Sequence, residues 1–439
     1  MSTKLKASYV FQFAAVVFIA ANILQNSSLI LYLGRDYVKY VYAVELLIML
    51  GFLANGIRTK RIIVATAAIF YAGLVVLECV NFSEISDAKL NINSALPYII
   101  VASICIFNDK YLSVRAVSRN IYAMSAVYAA IYVVIVLFFP DFYKPTASSA
   151  SGNPLKIFGR DHYTDARLVL STPYIAFGLT YALSAMREKF KITHLVGAVL
   201  FVLSILLSNY RYMMVALVPS IAVVYLYPLY KYIRWMVPVV FLIGTGVMIS
   251  GAFDKRVNIY SVFSKDQSGL ARVIEYDGAK DVISHHLFFG LGIPSSREDM
   301  EAIVKLAHPL FYDDIGPMGV LCGFGLIGLI GYLALGLAVS NFRISTTTKP
   351  ASWEIALLGV GLFMTIYSFT APTFWGEDGS VFAALILAYQ LKSRFKLKPV
   401  PQALKGPGGL RPRQELYPVQ GAAARAPKRR SRRLTGPFF

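Results

Sequence analysis

Residues 187–234 read REKFKITHLVGAVLFVLSILLSNYRYMMVALVPSIAVVYLYPLYKYIR. Two apolar runs, 192–209 and 212–230, stand between basic clusters, with a single arginine at the join. A hydrocarbon core about 30 Å thick takes around 20 apolar residues to cross as a helix. Lipid offers the backbone no hydrogen-bond partners, so a helix is the form such a run adopts there. The stretch is therefore a transmembrane hairpin. Arg187, Lys189 and Lys191 lie before it and Lys231 and Arg234 after it, on one side of the membrane, while Arg211 is left at the turn on the other.

The same pattern extends in both directions. Comparable runs lie near 9–32, 39–57, 62–80, 94–107, 118–140, 167–186, 235–253, 317–340, 354–371 and 378–392, of which the fourth and twelfth in chain order are short. With the hairpin these make about twelve spans, and the fold class is an all-α polytopic membrane protein. Composition agrees: 56% of the 439 residues are apolar and 15% charged, against about a quarter charged in soluble chains. The first run lacks a small-residue cleavage site and reads as a retained helix. Cys79, Cys105 and Cys322 all lie in apolar stretches without C-x-x-C spacing, which excludes a zinc ribbon or a disulfide framework.

With the N-terminus inside and the spans alternating, every short loop on the cytoplasmic side is basic, as the positive-inside rule requires. These loops carry Arg58, Lys60 and Arg61, then Lys110, Arg115 and Arg119, the two clusters of the hairpin, and Arg343 with Lys349. Both termini are then cytoplasmic. The division is a membrane unit over 1–398 and a tail over 399–439, rich in Pro, Gly, Ala and Arg, with little to bury and hence disordered. The tail accounts for much of the net charge of +19. Its basic cluster suits anionic lipid headgroups rather than nucleic acid.

Two outer segments, roughly 141–166 and 254–316, are too long for simple connections, and loops of that size are usually functional. In the second, residues 268–289 have the helical period of an amphipathic helix, with Ser268 as its N-cap. That helix is expected along the outer interface, followed by a tight turn at GLGIP, 290–294.

Charged groups at membrane depth are costly and point to function. Arg211 is placed at the outer mouth of the bundle, though a snorkelling anchor would also suit it. Arg272 lies on the amphipathic helix, where a salt-bridged solvent face is the plainer alternative. Arg160, with His162 and Arg167, forms a cationic patch in the first outer loop. His308, Asp313 and Asp314 occupy HPLFYDDIGPMG between Pro309 and Pro317, and histidine is well placed to accept a proton near neutral pH. Glu45 reads as hydrogen-bonded inside the bundle. His285 and His286 diverge by about 100° on a helix, which argues against joint metal ligation. The glycines at 319, 323, 325, 328 and 331 read as close helix packing. No metal set, P-loop or dinucleotide fingerprint stands in a fitting context, so no cofactor is expected.

Three elements in order, Ser208 with Arg211 opening a helix, Arg272 running into FFGLG ending at Gly292, and the His308 segment followed by DIGPMGVLCGFGLIGLIGY, resemble the O-antigen polymerase and O-antigen ligase superfamily. The resemblance spans roughly 200–335. It implies a glycosyltransferase using polyprenyl-diphosphate-linked glycan as donor and acceptor on the extracytoplasmic face of the bacterial inner membrane. Transfer would be inverting and metal-free, and a chain-length regulator is a possible partner. It further implies that Arg211 and Arg272 are the pair that binds the diphosphate, with His308 or Asp314, and then Asp313, as base; Arg160, from its cationic patch, is a further candidate for the diphosphate. HPLFYDD departs from the ligase histidine segment and D-I-G is polymerase-like, which favours a polymerase. A ligase acting on a lipid A core is the near alternative and a lipid or oligosaccharide exporter the distant one.

Overall fold

The computed structural model describes residues 3–27, 35–86, 90, 95–139, 157–158, 167–168, 170–208, 211–250, 267–293, 315–344 and 350–394, with the backbone alone described at 3–6, 35–38, 86, 157–158, 167–168, 211, 267–274, 377 and 392–394. The chain divides into Met1–Phe395 and Lys396–Phe439, and the described residues belong to the first unit. Each of the twelve apolar runs contains a helix: α1 Thr3–Gln25, α2 Arg35–Arg58, α3 Ile62–Ser86, α4 Leu96–Phe107, α5 Val114–Phe138, α6 Thr172–Glu188, α7 Ile192–Ser208, α8 Arg211–Ile233, α9 Met236–Ile249, α11 Gly316–Ser340, α12 Ser352–Tyr367 and α13 Glu377–Arg394. Between α9 and α11 lies helix α10, Gln267–His285.

Six of these helices have the length and apolarity to cross a membrane alone, and five shorter ones are apolar in the main. The twelfth, α6, is buried on every side, with Tyr174, Ile175, Ala176 and Phe177 fully enclosed. It packs against α5, α7, α8 and α12, the setting in which a helix needs no single apolar stripe. The fold is a polytopic all-α membrane protein. Among the described residues the departure from helix is one two-residue antiparallel ladder, Ile157–Phe158 with Arg167–Leu168.

Several boundaries differ from the sequence expectation for local reasons. The first helix, expected to reach 32, ends at Gln25, where Asn26 Nδ2 donates to the carbonyl of Asn22 at 2.8 Å and satisfies a terminal acceptor. The sixth, expected from 167, starts at Thr172 with Pro173 in its first turn, a position that suits proline's fixed φ. The short fourth span holds a 3₁₀ turn over Ile100–Ser103. Beyond it Asp109 is buried, accepting from Asn55 Nδ2 at 2.6 Å and from Tyr111 N at 2.6 Å. Ser268, expected as an N-cap, lies inside α10, and the helix stops at His285 rather than 289.

Hydrogen bonds between helices show which termini share an end of the bundle. Tyr230 Oη, late in α8, donates to the carbonyls of Ser340 at 3.4 Å and Phe342 at 3.2 Å, at the end of α11. Ser220 Oγ donates to Gly359 O of α12 at 2.7 Å. Gly316, opening α11, abuts the backbone of Phe369 just past α12. The starts of α8 and α11 and the finish of α12 therefore share one end, and α10 reaches the bundle there. The short basic turns α2–α3, α4–α5, α6–α7, α8–α9 and α11–α12 belong to the other end by alternation of the helices.

Candidate active site

Two of the expected cationic positions are placed by the backbone. Arg211 is the first residue of α8, where unsatisfied N–H groups and the helix dipole already favour an anion. The interior of α8 is anchored below it by Met213, Ala216, Leu217 and Ser220, all buried. Arg272 stands in the second turn of α10. The inner stripe of α10 is Glu275, Ala279 and Val282, all buried, and the last two pack in a small core with Phe82 of α3, Leu291, Ile315 just before α11, and Met318 and Cys322 of α11. A 3.6-residue period puts position 272 one turn before Glu275 on that stripe. Both arginine positions thus belong to the same end of the bundle, opposite the basic turns. Arg160, His162, His308, Asp313 and Asp314 lie outside the described residues.

The solvent side of α10 is occupied by its own contacts. Lys280 Nζ pairs with Asp277 Oδ1 at 3.2 Å. His285 Nδ1 donates to the carbonyl of Asp281 at 3.0 Å, one turn back. Among the described residues no cluster of three His, Cys, Asp or Glu side chains has metal-binding geometry. Glu45 is buried within α2.

The join between α10 and α11 differs from the expectation. Gly325 has φ 61° and ψ −163°, which breaks α11 into two helical pieces. A regular helix would bond Leu326 N to Cys322 O and Ile327 N to Gly323 O. Here Leu326 N donates to Leu287 O at 2.8 Å and Ile327 N to Phe288 O at 3.3 Å. The two carbonyls so released accept from Leu291 N at 3.0 Å and Gly292 N at 2.7 Å. The segment after α10 therefore enters the break as a splint, satisfying both donors and both acceptors, which a break at membrane depth requires.

Three glycines make the approach possible. Gly290 and Gly292 have φ of +70° and +85°, and a Cβ on Gly290 would meet the backbone of Gly323 and Gly325. A Cβ on Gly292 would meet Glu78 O and Phe82 N of α3. Helix α3 completes the seat, with Ile293 N donating to Glu78 O at 3.1 Å and Asn81 Nδ2 donating to Gly290 O at 3.3 Å. The turn expected at GLGIP, 290–294, comes earlier, over Leu287–Phe289, with Pro294 outside the described residues, and Gly325 serves a helix break rather than the helix packing expected for it. The paired spacings Gly290-x-Gly292 and Gly323-x-Gly325 were the available signal, since two such pairs suit backbones in close contact.

Residues 196–333, which contain both arginine positions, α10 and the splint, match the family model described as O-antigen ligase. Over that stretch the chain is similar to the O-antigen ligase family. The matched region covers about a third of the chain, and its members are glycosyltransferase-like enzymes. No curated protein matches the chain.

Proposed function

We propose that the protein is a polysaccharide polymerase that joins polyprenyl-diphosphate-linked oligosaccharide repeat units on the extracytoplasmic face of the bacterial inner membrane. The observation that carries this reading is the placement of Arg211 and Arg272 at one end of the bundle, with the basic turns at the other. By the positive-inside rule the basic end is cytoplasmic, so the arginine end and α10 face outward and both termini face inward.

In this reading Arg211, at a helix N-terminus, and Arg272 grip the donor diphosphate, with Arg160 beside them. A guanidinium donates bidentately and stays charged, which suits a leaving group that gains charge as the glycosidic bond breaks. His308 takes the proton from the acceptor hydroxyl, with Asp314, then Asp313, orienting or replacing it. Attack opposite the diphosphate inverts the anomeric carbon, and two arginines supply the charge stabilisation that a metal would otherwise give. Donor and acceptor glycans and membrane lipids are the partners, with a chain-length regulator as a further one. The basic tail associates with anionic headgroups rather than nucleic acid.

The family description favours a second reading, a ligase that moves lipid-linked glycan to a lipid A core. Purified protein in liposomes separates the two. Lipid-linked repeat units alone should give a ladder of polymers. Product that forms only when core lipid is added would establish the ligase instead.

A further inference from the structure

Helix α3 lies outside the residues that match the family, 196–333, yet it holds the splint from the side opposite α11. Its Asn81 side chain is half-buried and donates to Gly290 O, just past the turn. The neighbouring bond from Ile293 N to Glu78 O is backbone to backbone, so Asn81 supplies a side-chain latch. Through four splint bonds that latch reaches both pieces of α11, and through Gly290 N, which donates to His286 O at 2.9 Å, it reaches the end of α10. The helix carrying Arg272 is thereby held at three places, by α3, by α11 and by the small core around Phe82.

We propose that Asn81 is a positioning residue for glycan transfer: by fixing the 287–293 turn in the break of α11, it sets the height and rotation of α10 and so the aim of Arg272. The inference rests on the reading of Arg272 as a diphosphate ligand. A misplacement of about 1 Å at such a ligand costs as much as 10²-fold in rate, whereas a latch elsewhere in the bundle would leave turnover alone.

The test uses full-length protein in liposomes with lipid-linked repeat units, in a Cys79→Ser, Cys105→Ser background. Cys322 then remains as the single thiol, buried beneath the splint and contributing one of its carbonyls. Asn81→Leu keeps the volume and removes the donor; Asn81→Gln keeps a donor. The expectation for Asn81→Leu is a fall in kcat of about tenfold, the scale of one lost hydrogen bond, with donor KM within about twofold. Maleimide labelling of Cys322 should quicken by a similar factor, and Asn81→Gln should recover part of both. Faster labelling with unchanged kcat would show a latch without a positioning role and overturn the proposal. Slower turnover with unchanged labelling would overturn it too, by placing the effect away from the splint. Arg272→Ala separates the two levels. Full activity there removes the diphosphate reading itself, while an inactive Arg272→Ala beside a fully active Asn81→Leu overturns the positioning role alone.

Discussion

Replacing Gly325 by alanine tests the splint most directly. Its φ of 61° and ψ of −163° fall in a region essentially confined to glycine, where another residue costs about 1–3 kcal/mol. The new methyl would also be driven into the Phe288 carbonyl and Gly290 N, so the 287–292 chain must lift. Two of the four splint bonds at least would then be lost, at about 1 kcal/mol each. The sum is about 3–5 kcal/mol, a large part of the roughly 5–15 kcal/mol that holds a typical domain together. In a chain of this length that corresponds to a fall in apparent Tm of about 3–5 °C, measurable by fluorescence-detected size exclusion after heating in detergent. Gly331→Ala is the control: the nearest atom to its added methyl is Trp375 Cζ2 at 3.7 Å, an ordinary contact, and alanine is the better helix former. A Gly325→Ala protein that melts within a degree or two of wild type, like the control, would refute the account of the break.

Four further outcomes are expected. Pro228 lies inside α8 and cannot donate to Val224 O, and Arg187 fills the gap, donating to that carbonyl while lying 4.7 Å over the Tyr227 ring; Arg187→Ala should cost about 1–2 kcal/mol, less in a Pro228→Ala background, and additive losses across the double-mutant cycle would sink this pairing. Arg211→Ala and Arg272→Ala should each abolish polymer ladders with insertion intact, and lysine should restore little because it lacks the fork geometry; wild-type ladders from the alanine variants would reduce both residues to anchors. His308→Ala should lower turnover by about 10²–10⁴, and an unchanged rate with purified protein would remove it from the mechanism, while an equal loss in Asp314→Asn would identify an acid that orients or replaces it. Reporter fusions at Lys191 and Gln267 should report opposite sides of the membrane, and agreement between them would overturn the topology.

The apolar helices were legible because hydropathy is local: a run such as 212–230 must form a helix in lipid whatever surrounds it, since only a helix satisfies its own backbone. The ends were less legible. Asn26 closing α1 and Pro173 opening α6 are short-range devices, yet the apolar runs at 9–32 and 167–186 continue past them. The basic residues at one end of the helices, and Arg211 at the other, could also be read from the chain order alone. The burial of α6 on all sides could not, because a helix of mixed polarity becomes central only when α5, α7, α8 and α12 close around it. Nor could the role of Gly325. A glycine in an apolar helix suits close packing and a break equally well, and the choice rests on donors and acceptors brought from 287–292 and on the seat made by Glu78 and Asn81. Sequence by itself determined which segments are apolar enough for membrane helices, because that depends on each segment's transfer from water. Tertiary structure alone decided where a helix could break, because the groups freed there must find partners far away in the chain.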